Sequence, residues 1–274
     1  MTAKIHHIVT GELESPLAVS LLAGGASPDI DIETVLPYGY RYDITRKDGT
    51  VTEGVMVPVA VWLIEGPDET ILVDTGLGDV DEVTWMQARY GVDYLAARTD
   101  KQLIVDGLAA KGVEPGDVDT ILITHLHFDH VGNNELFPNA RFIVQREELP
   151  QGLRPPKFGM FYYPEYSYKM LDVLGRTEVI DGDKQIAQDV WVEKIGGHTP
   201  GSMVVMVRTE LGVVCLTSDV MYNYRNLELN WPMGSFWNLP QLMRGYDRLH
   251  READIIIPGH DWQLLEDFPT GVIG

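Results

Sequence analysis

Apolar and polar positions along this chain alternate in many short runs, most of them the length of β-strands. Residues 5–9 form a first short strand, and 17–23 a second apolar stretch that ends in Gly24-Gly25. Residues 38–47 and 50–57 flank Asp48-Gly49, a pair that favours the tight type I′ turn of a hairpin. A further strand pair, 58–65 and 70–73, is joined by Gly66-Pro67-Asp68. Helices are predicted over 80–90 and 99–111. In the second, Leu103, Ile104, Leu108 and Ala109 share a face and Gly112 supplies the stop. The largely apolar run 118–123 reads as a buried strand, with another at 141–144. Residues 151–171 lack a regular pattern but carry Phe158, Met160, Phe161, Tyr162, Tyr163, Tyr166 and Tyr168. A loop so long and aromatic is read first as a binding lid, with a satellite core as the alternative. The second half is rich in strands, at 190–195, 202–208, 213–218 and 253–257, with a helix over 238–252.

Candidate chemistry gathers where these strands end. Directly after the run 118–123 comes Thr124-His125-Leu126-His127-Phe128-Asp129-His130. In extended chain His125 and His127 leave on the same side, and His130 returns one helical turn later. Three imidazoles and a carboxylate at this spacing make a metal site, with donors suited to zinc, iron, cobalt or manganese. His198, Asp219 and His260 each follow an apolar strand in the same way. Several strand ends converging on one rim is how layered α/β folds build sites. Together these residues supply enough donors for two divalent metal ions. The expected sharing places His125, His127 and His198 on one ion and Asp129, His130 and His260 on the other, with Asp219 bridging. Asp74, at the end of 70–73, is either a turn former or a carboxylate that orients a metal-bound histidine. His6, His7 and His250 have no such company and read as ordinary.

Composition narrows the class. The 274 residues carry no linker, repeat or low-complexity stretch, so a single domain over 1–274 is expected. The formal net charge of −20 disfavours nucleic acid, anionic membrane surfaces and polyanionic substrates as partners. No apolar run is long enough to span a bilayer, and residues 1–7 lack the pattern of a signal peptide. One cysteine, Cys215, fits a reducing compartment, so a cytoplasmic location is expected.

The order His125-x-His127-x-Asp129-His130, then Gly197-His198, Asp219 and Gly259-His260, resembles the metallo-β-lactamase superfamily. Asp74-Thr75-Gly76 resembles a turn which that family places beside its site. The resemblance implies an αββα sandwich, two mixed β-sheets flanked by helices, and metals that are usually zinc. Within the superfamily, the N-acyl homoserine lactonases and related quorum-quenching lactone hydrolases are most similar. They carry a tyrosine three residues after the bridging aspartate, where this chain has Tyr222, and Phe142–Glu148 resembles one of their segments. The segment through Asp48-Gly49 is longer than in the usual lactonase. The resemblance implies that a metal-bridging hydroxide opens a lactone ring. Tyr222 would donate to the developing oxyanion, and Asp129 would carry a proton to the leaving oxygen. The alternative is another metallohydrolase acting on a phosphotriester, thioester, cyclic amide or aryl ester. Phe161, Tyr162, Trp231, Met233, Phe236 and Trp237 form either an apolar pocket wall or core and interface, and the resemblance allows a homodimer.

Overall fold

A computed structural model describes residues 2–15, 40–45, 49–66, 68–89, 95–154 and 164–274. The first sheet holds β1 (Lys4–Ser15), β2 (Tyr40–Thr45), β3 (Val51–Glu65), β4 (Thr70–Val73), β5 (Ala96–Ala97), β6 (Thr120–Leu122), β7 (Arg141–Gln145) and β8 (Thr177–Ile180). The second holds β9 (Lys184–Ala187), β10 (Val190–Lys194), β11 (Met203–Thr209), β12 (Gly212–Leu216) and β13 (Ile255–Ile257). β14 (Val272–Ile273) returns to pair with β1 at the edge of the first sheet. Both sheets are mixed. β4, β6, β7 and β8 run parallel to one another, and β13 is the parallel member of an otherwise antiparallel second sheet.

The helices are α1 (Val80–Arg89), α2 (Ile104–Ala109), α3 (Glu148–Leu153), α4 (Pro164–Leu171), α5 (Tyr224–Glu228), α6 (Leu239–Glu252) and α7 (Gln263–Asp267). The period-2 geometry of strands explains the layering. On β11, Met203, Val205 and Val207 join Ile71, Val73, Leu122 and Ile143 of the first sheet in one apolar layer between the sheets. Val204 and Met206 point the other way, into a cluster with Leu242, Tyr246 and Leu249 of α6. Val83 and Met86 of α1 and Ile104 and Leu108 of α2 share that cluster with outward residues of the first sheet, such as Val61, Leu63 and Leu72. Strands buried on both faces give short apolar runs, which is why 121–123 and 203–207 are legible. The result is the expected αββα sandwich.

Several expected elements differ. Residues 50–57 and 58–65 are one strand of 15 residues, continuous through Pro58. Among the described residues β2 pairs with β3 as far as Met56 and β4 from Trp62, so on that side no described strand takes a ladder bond from Pro58. β1 outruns its expected 5–9 because a bulge between Val9 and Gly11 breaks the alternation. The β2–β3 pairing closes at Thr45 and Val51, and Asp48 of the expected turn lies outside the described residues, as does Pro67 of the next turn. The expected helix 99–111 is broken at Leu103. There the Gln102 side chain turns back to accept from the Thr99 N–H at 2.7 Å. Of the expected loop 151–171, both ends are helical, in α3 and α4. Tyr166 is core there, its ring 6.2 Å from that of Phe128. Phe158, Met160, Phe161, Tyr162 and Tyr163, like the apolar stretch 17–23, lie outside the described residues. Among the described residues no helix is long and apolar enough to cross a membrane.

Candidate metal centre

The C-terminal ends of β4, β6, β10, β12 and β13 lie on one rim, and each delivers a polar residue there. Asp74 follows β4, the His125–His130 stretch follows β6, His198 follows β10, Asp219 follows β12 and His260 follows β13. Close backbone approaches make this geometry. A Cβ on Gly259 would lie 2.6 Å from the Ser218 carbonyl oxygen, and Gly197 takes a left-handed conformation (φ 90°) just before His198. Asp74 and Ser218 are held at positive φ although neither is glycine, a strain that surrounding contacts must sustain.

All seven residues expected from the sequence as metal ligands come together, and all are buried. They form two donor groups: His125, His127, His198 and Asp219, then Asp129, His130 and His260. In the first, His127 Nδ1 lies 3.0 Å from His125 Nε2 and 3.1 Å from His198 Nε2. Asp219 stands between the groups with one oxygen toward each. Its Oδ2 is 3.5 Å from His198 Nε2 and 3.9 Å from His125 Nε2. Its Oδ1 is 3.0 Å from His260 Nε2 and 3.2 Å from His130 Nε2. Asp129 Oδ2 completes the second group, 3.6 Å from His130 Nε2 and 3.9 Å from His260 Nε2.

Outer contacts fix which nitrogen faces inward. His198 Nδ1 donates to the Ser235 carbonyl and His260 Nδ1 to the Pro58 carbonyl, each at 2.8 Å. A carbonyl only accepts, so Nδ1 carries the proton and Nε2 presents its lone pair to the centre. His130 Nδ1 donates to Asp74 Oδ2 at 2.8 Å. Asp74 also accepts from the Thr124 N–H at 2.8 Å and the Thr124 hydroxyl at 2.7 Å. The same hydroxyl lies 3.1 Å from His125 Nδ1. The Asp74 carboxylate thus orients a histidine of the cluster as well as closing its turn. These residues fit divalent ions: lone pairs of four imidazole Nε2 atoms and one Nδ1 converge with two carboxylates, in a setting where unpaired charge costs several kcal/mol.

The groups differ electrostatically. Burial, then the neighbouring His130 and His127, hold His125 well below the ordinary histidine pKa. Burial also lowers His198. Burial acts on His130 in the same sense, but Asp129, Asp219 and Asp74 overcome it and hold the imidazole well above the ordinary value. Burial would raise Asp219, yet His260 and His130 keep it well below the usual carboxylate range, while burial raises Asp129.

Tyr222 stacks on the His260 ring, centroids 4.4 Å apart and planes 29° from parallel. Burial and then Asp219 push its phenol well above the ordinary tyrosine pKa, so it stays a donor. Of the expected pocket wall, Met233 is core, whereas Trp237 is 53% exposed. The Trp237 N–H donates to the Gly197 and His198 carbonyls at 2.7 and 3.0 Å, so this segment wraps the His198 loop. Phe161 and Tyr162 lie outside the described residues. Sequence reading gave no role to Glu148, which is fully buried and accepts from the Leu126 N–H between His125 and His127.

Residues 54–260 match the metallo-β-lactamase superfamily. An N-acyl homoserine lactonase from Bacillus sp. is 31% identical over 229 residues, covering 80% of this chain and 88% of the relative. Metallo-beta-lactamase domain-containing protein 1 of Rattus norvegicus is 29% identical over 252 residues, covering 88% and 84% respectively. A solved N-acyl homoserine lactone hydrolase, with the product N-hexanoyl-L-homoserine at its catalytic metal centre, is similar with a TM-score of 0.75. It is 27% identical, and the match covers 97% of each chain. The chain belongs to the metallo-β-lactamase superfamily. It is a hydrolase of that superfamily, similar to the N-acyl homoserine lactonases.

Proposed function

We propose that this protein opens the ring of N-acyl homoserine lactones or closely related lactones at a two-metal centre. The observation that carries the reading is the split of Asp219, one carboxylate oxygen toward each donor group. His125, His127 and His198 would hold one ion, Asp129, His130 and His260 the other, with Asp219 shared between them. Zinc suits these nitrogen and oxygen donors best, with iron, cobalt or manganese as substitutes. When bound, two such ions lower the pKa of water toward roughly 7 and polarise a carbonyl.

The remaining work falls to this chain's own side chains. The Tyr222 phenol, kept protonated by burial, donates a hydrogen bond to the lactone carbonyl oxygen as negative charge develops there. Asp129, its carboxyl raised by burial, carries a proton to the ring oxygen as the C–O bond breaks. Asp74, Ser235 and Pro58 keep the imidazole tautomers fixed throughout, so no reorganisation is needed during turnover. The similarity to N-acyl homoserine lactonases over most of the chain supports the substrate class. Buried Cys215, a free thiol, supports a cytoplasmic setting.

Proton release by metal-loaded protein on a panel of γ- and δ-lactones tests this, with acyl homoserine lactones included and Asp219→Ala as control. Metal-dependent ring opening that disappears in the control is expected. Silence on every lactone, with two ions still bound, would overturn the lactone reading and turn the search to phosphotriesters, thioesters, cyclic amides and aryl esters.

A further inference from the structure

Glu148 is the first residue of α3 and has no exposed surface. A carboxylate so placed needs donors, and three of them come from the two loops of the three-imidazole group. Its Oε2 accepts from the Leu126 N–H at 3.0 Å, the peptide between His125 and His127. Its Oε1 accepts from the Thr199 hydroxyl at 2.6 Å and the Gly201 N–H at 2.7 Å, in the turn after His198. The same short helix makes room for this seat. A Cβ on Gly152, one turn further along, would lie 2.4 Å from Leu126 Cδ1, and one on Gly201 would lie 3.0 Å from Glu148 Cγ. Glycines at 152 and 201 thus let both loops close on the carboxylate.

We infer that Glu148 is the positioning residue of the first donor group. It clamps the β6 loop to the β10 loop, and so sets the spacing of His125, His127 and His198, without touching metal or substrate. The second donor group hangs from other supports, Asp74 and the Pro58 carbonyl. Loss of the clamp should therefore weaken one ion and spare the other. A carboxylate is required because both of its oxygens face donors. In Glu148→Gln one oxygen becomes an NH2 group. Turned toward Leu126, it would set N–H against the Leu126 N–H and push the peptide between two ligands away.

This inference rests on the two-metal reading above, and the test separates the two. Metal-free wild type, E148Q and T199V are titrated with cobalt(II), with uptake followed by equilibrium dialysis and visible absorption. H198A and H260A serve as references, each removing one donor from one group. The wild type should take up two ions. In E148Q, the binding step lost in H198A should weaken by about 10–100-fold, as when a residue supporting a ligand is removed, with the step lost in H260A unchanged. T199V removes one donor to the carboxylate at nearly constant volume, and should weaken the same step by a smaller factor. Thermal unfolding of the metal-free forms reports stability separately. Both steps intact in E148Q, or both weakened alike, would overturn the inference. If E148Q does not fold without metal, T199V decides in the same way, and an unselective or absent effect overturns it. Wild-type uptake of fewer than two ions overturns the two-metal reading and this inference together. Two ions with silence on lactones overturns only the substrate.

Discussion

The two donor groups of the centre use the same residue types, yet their surroundings treat them in opposite ways. Around His125, His127 and His198 the imidazoles crowd one another; His125 and His198 share a single carboxylate oxygen, and burial holds both of them toward the neutral form. Around His130 and His260, the carboxylates of Asp129, Asp219 and Asp74 hold the rings toward the charged form. The first group is braced by the hydroxyl of Thr124, the Ser235 carbonyl and the Glu148 clamp. The second is braced by the Asp74 side chain and the Pro58 carbonyl. Donor type alone does not define a metal position; the contacts behind the donors decide its charge and its rigidity.

Asp219 is the one residue that both groups share, so its removal has the largest expected effect. Asp219→Ala should cut metal content from two ions toward none and abolish measurable turnover, leaving two sets of buried imidazoles without their common carboxylate. Metal analysis after dialysis checks it. Retention of both ions by the variant would show that the groups are independent and end the comparison as drawn.

Tyr222 belongs to one side, through its stack on His260. Tyr222→Phe keeps the ring and removes the hydroxyl, so both ions should remain while kcat falls by about 10²–10³-fold, as for loss of one oxyanion donor. Unchanged kcat at full metal content would remove the phenol from the reaction. Asp74→Asn should do the reverse, acting on metal before chemistry. All three groups facing Asp74 donate to it, and an amide can accept from only part of them. The ion on the His130 side should weaken by about 10–100-fold, and the other by less, since Thr124 also reaches His125. Equal weakening, measured by competition with a chelator, would mean that the brace serves both groups alike.

These residues differ in how far the sequence exposes them. His125 to His130 are legible because four donors stand within six residues after an apolar run, and their spacing brings the imidazoles to one side. His198, Asp219 and His260 are legible by position, each just past a buried strand. Glu148 is not, because its partners are remote: Leu126 is 22 positions away and Gly201 is 53. The unity of β3 is equally hidden, since Pro58 signals a break and only the gap between the described residues of β2 and β4 makes it harmless. The Pro58 carbonyl accepts from His260 Nδ1, so the same misleading residue supports the site. In 151–171 the aromatic content suggested a lid. Tyr166 and Met170 form the buried face of α4, a pattern too short to distinguish from a loop by periodicity, while 155–163 lie outside the described residues.

His7 sharpens the comparison from outside the centre, as a buried histidine whose pKa no carboxylate among the described residues raises. Its ring lies 4.7 Å from that of Trp62, and its Nε2 has no hydrogen-bond partner among the described residues. Burial, aided by Lys111, lowers its pKa to about 3. Between that value and the ordinary 6.5, the unfolded chain binds a proton that the native state refuses, so stability rises with pH across the window. At pH 5.5 the penalty is about 1.4 kcal/mol, absent at pH 7.5. Urea unfolding of wild type and His7→Leu at both pH values measures it. The wild type should lose about 1.4 kcal/mol more than the variant on acidification. Equal losses would mean that the folded state admits a proton at His7, and that burial alone does not keep a histidine neutral in this protein. The low pKa of His125 would then have to come from its neighbours rather than from its depth.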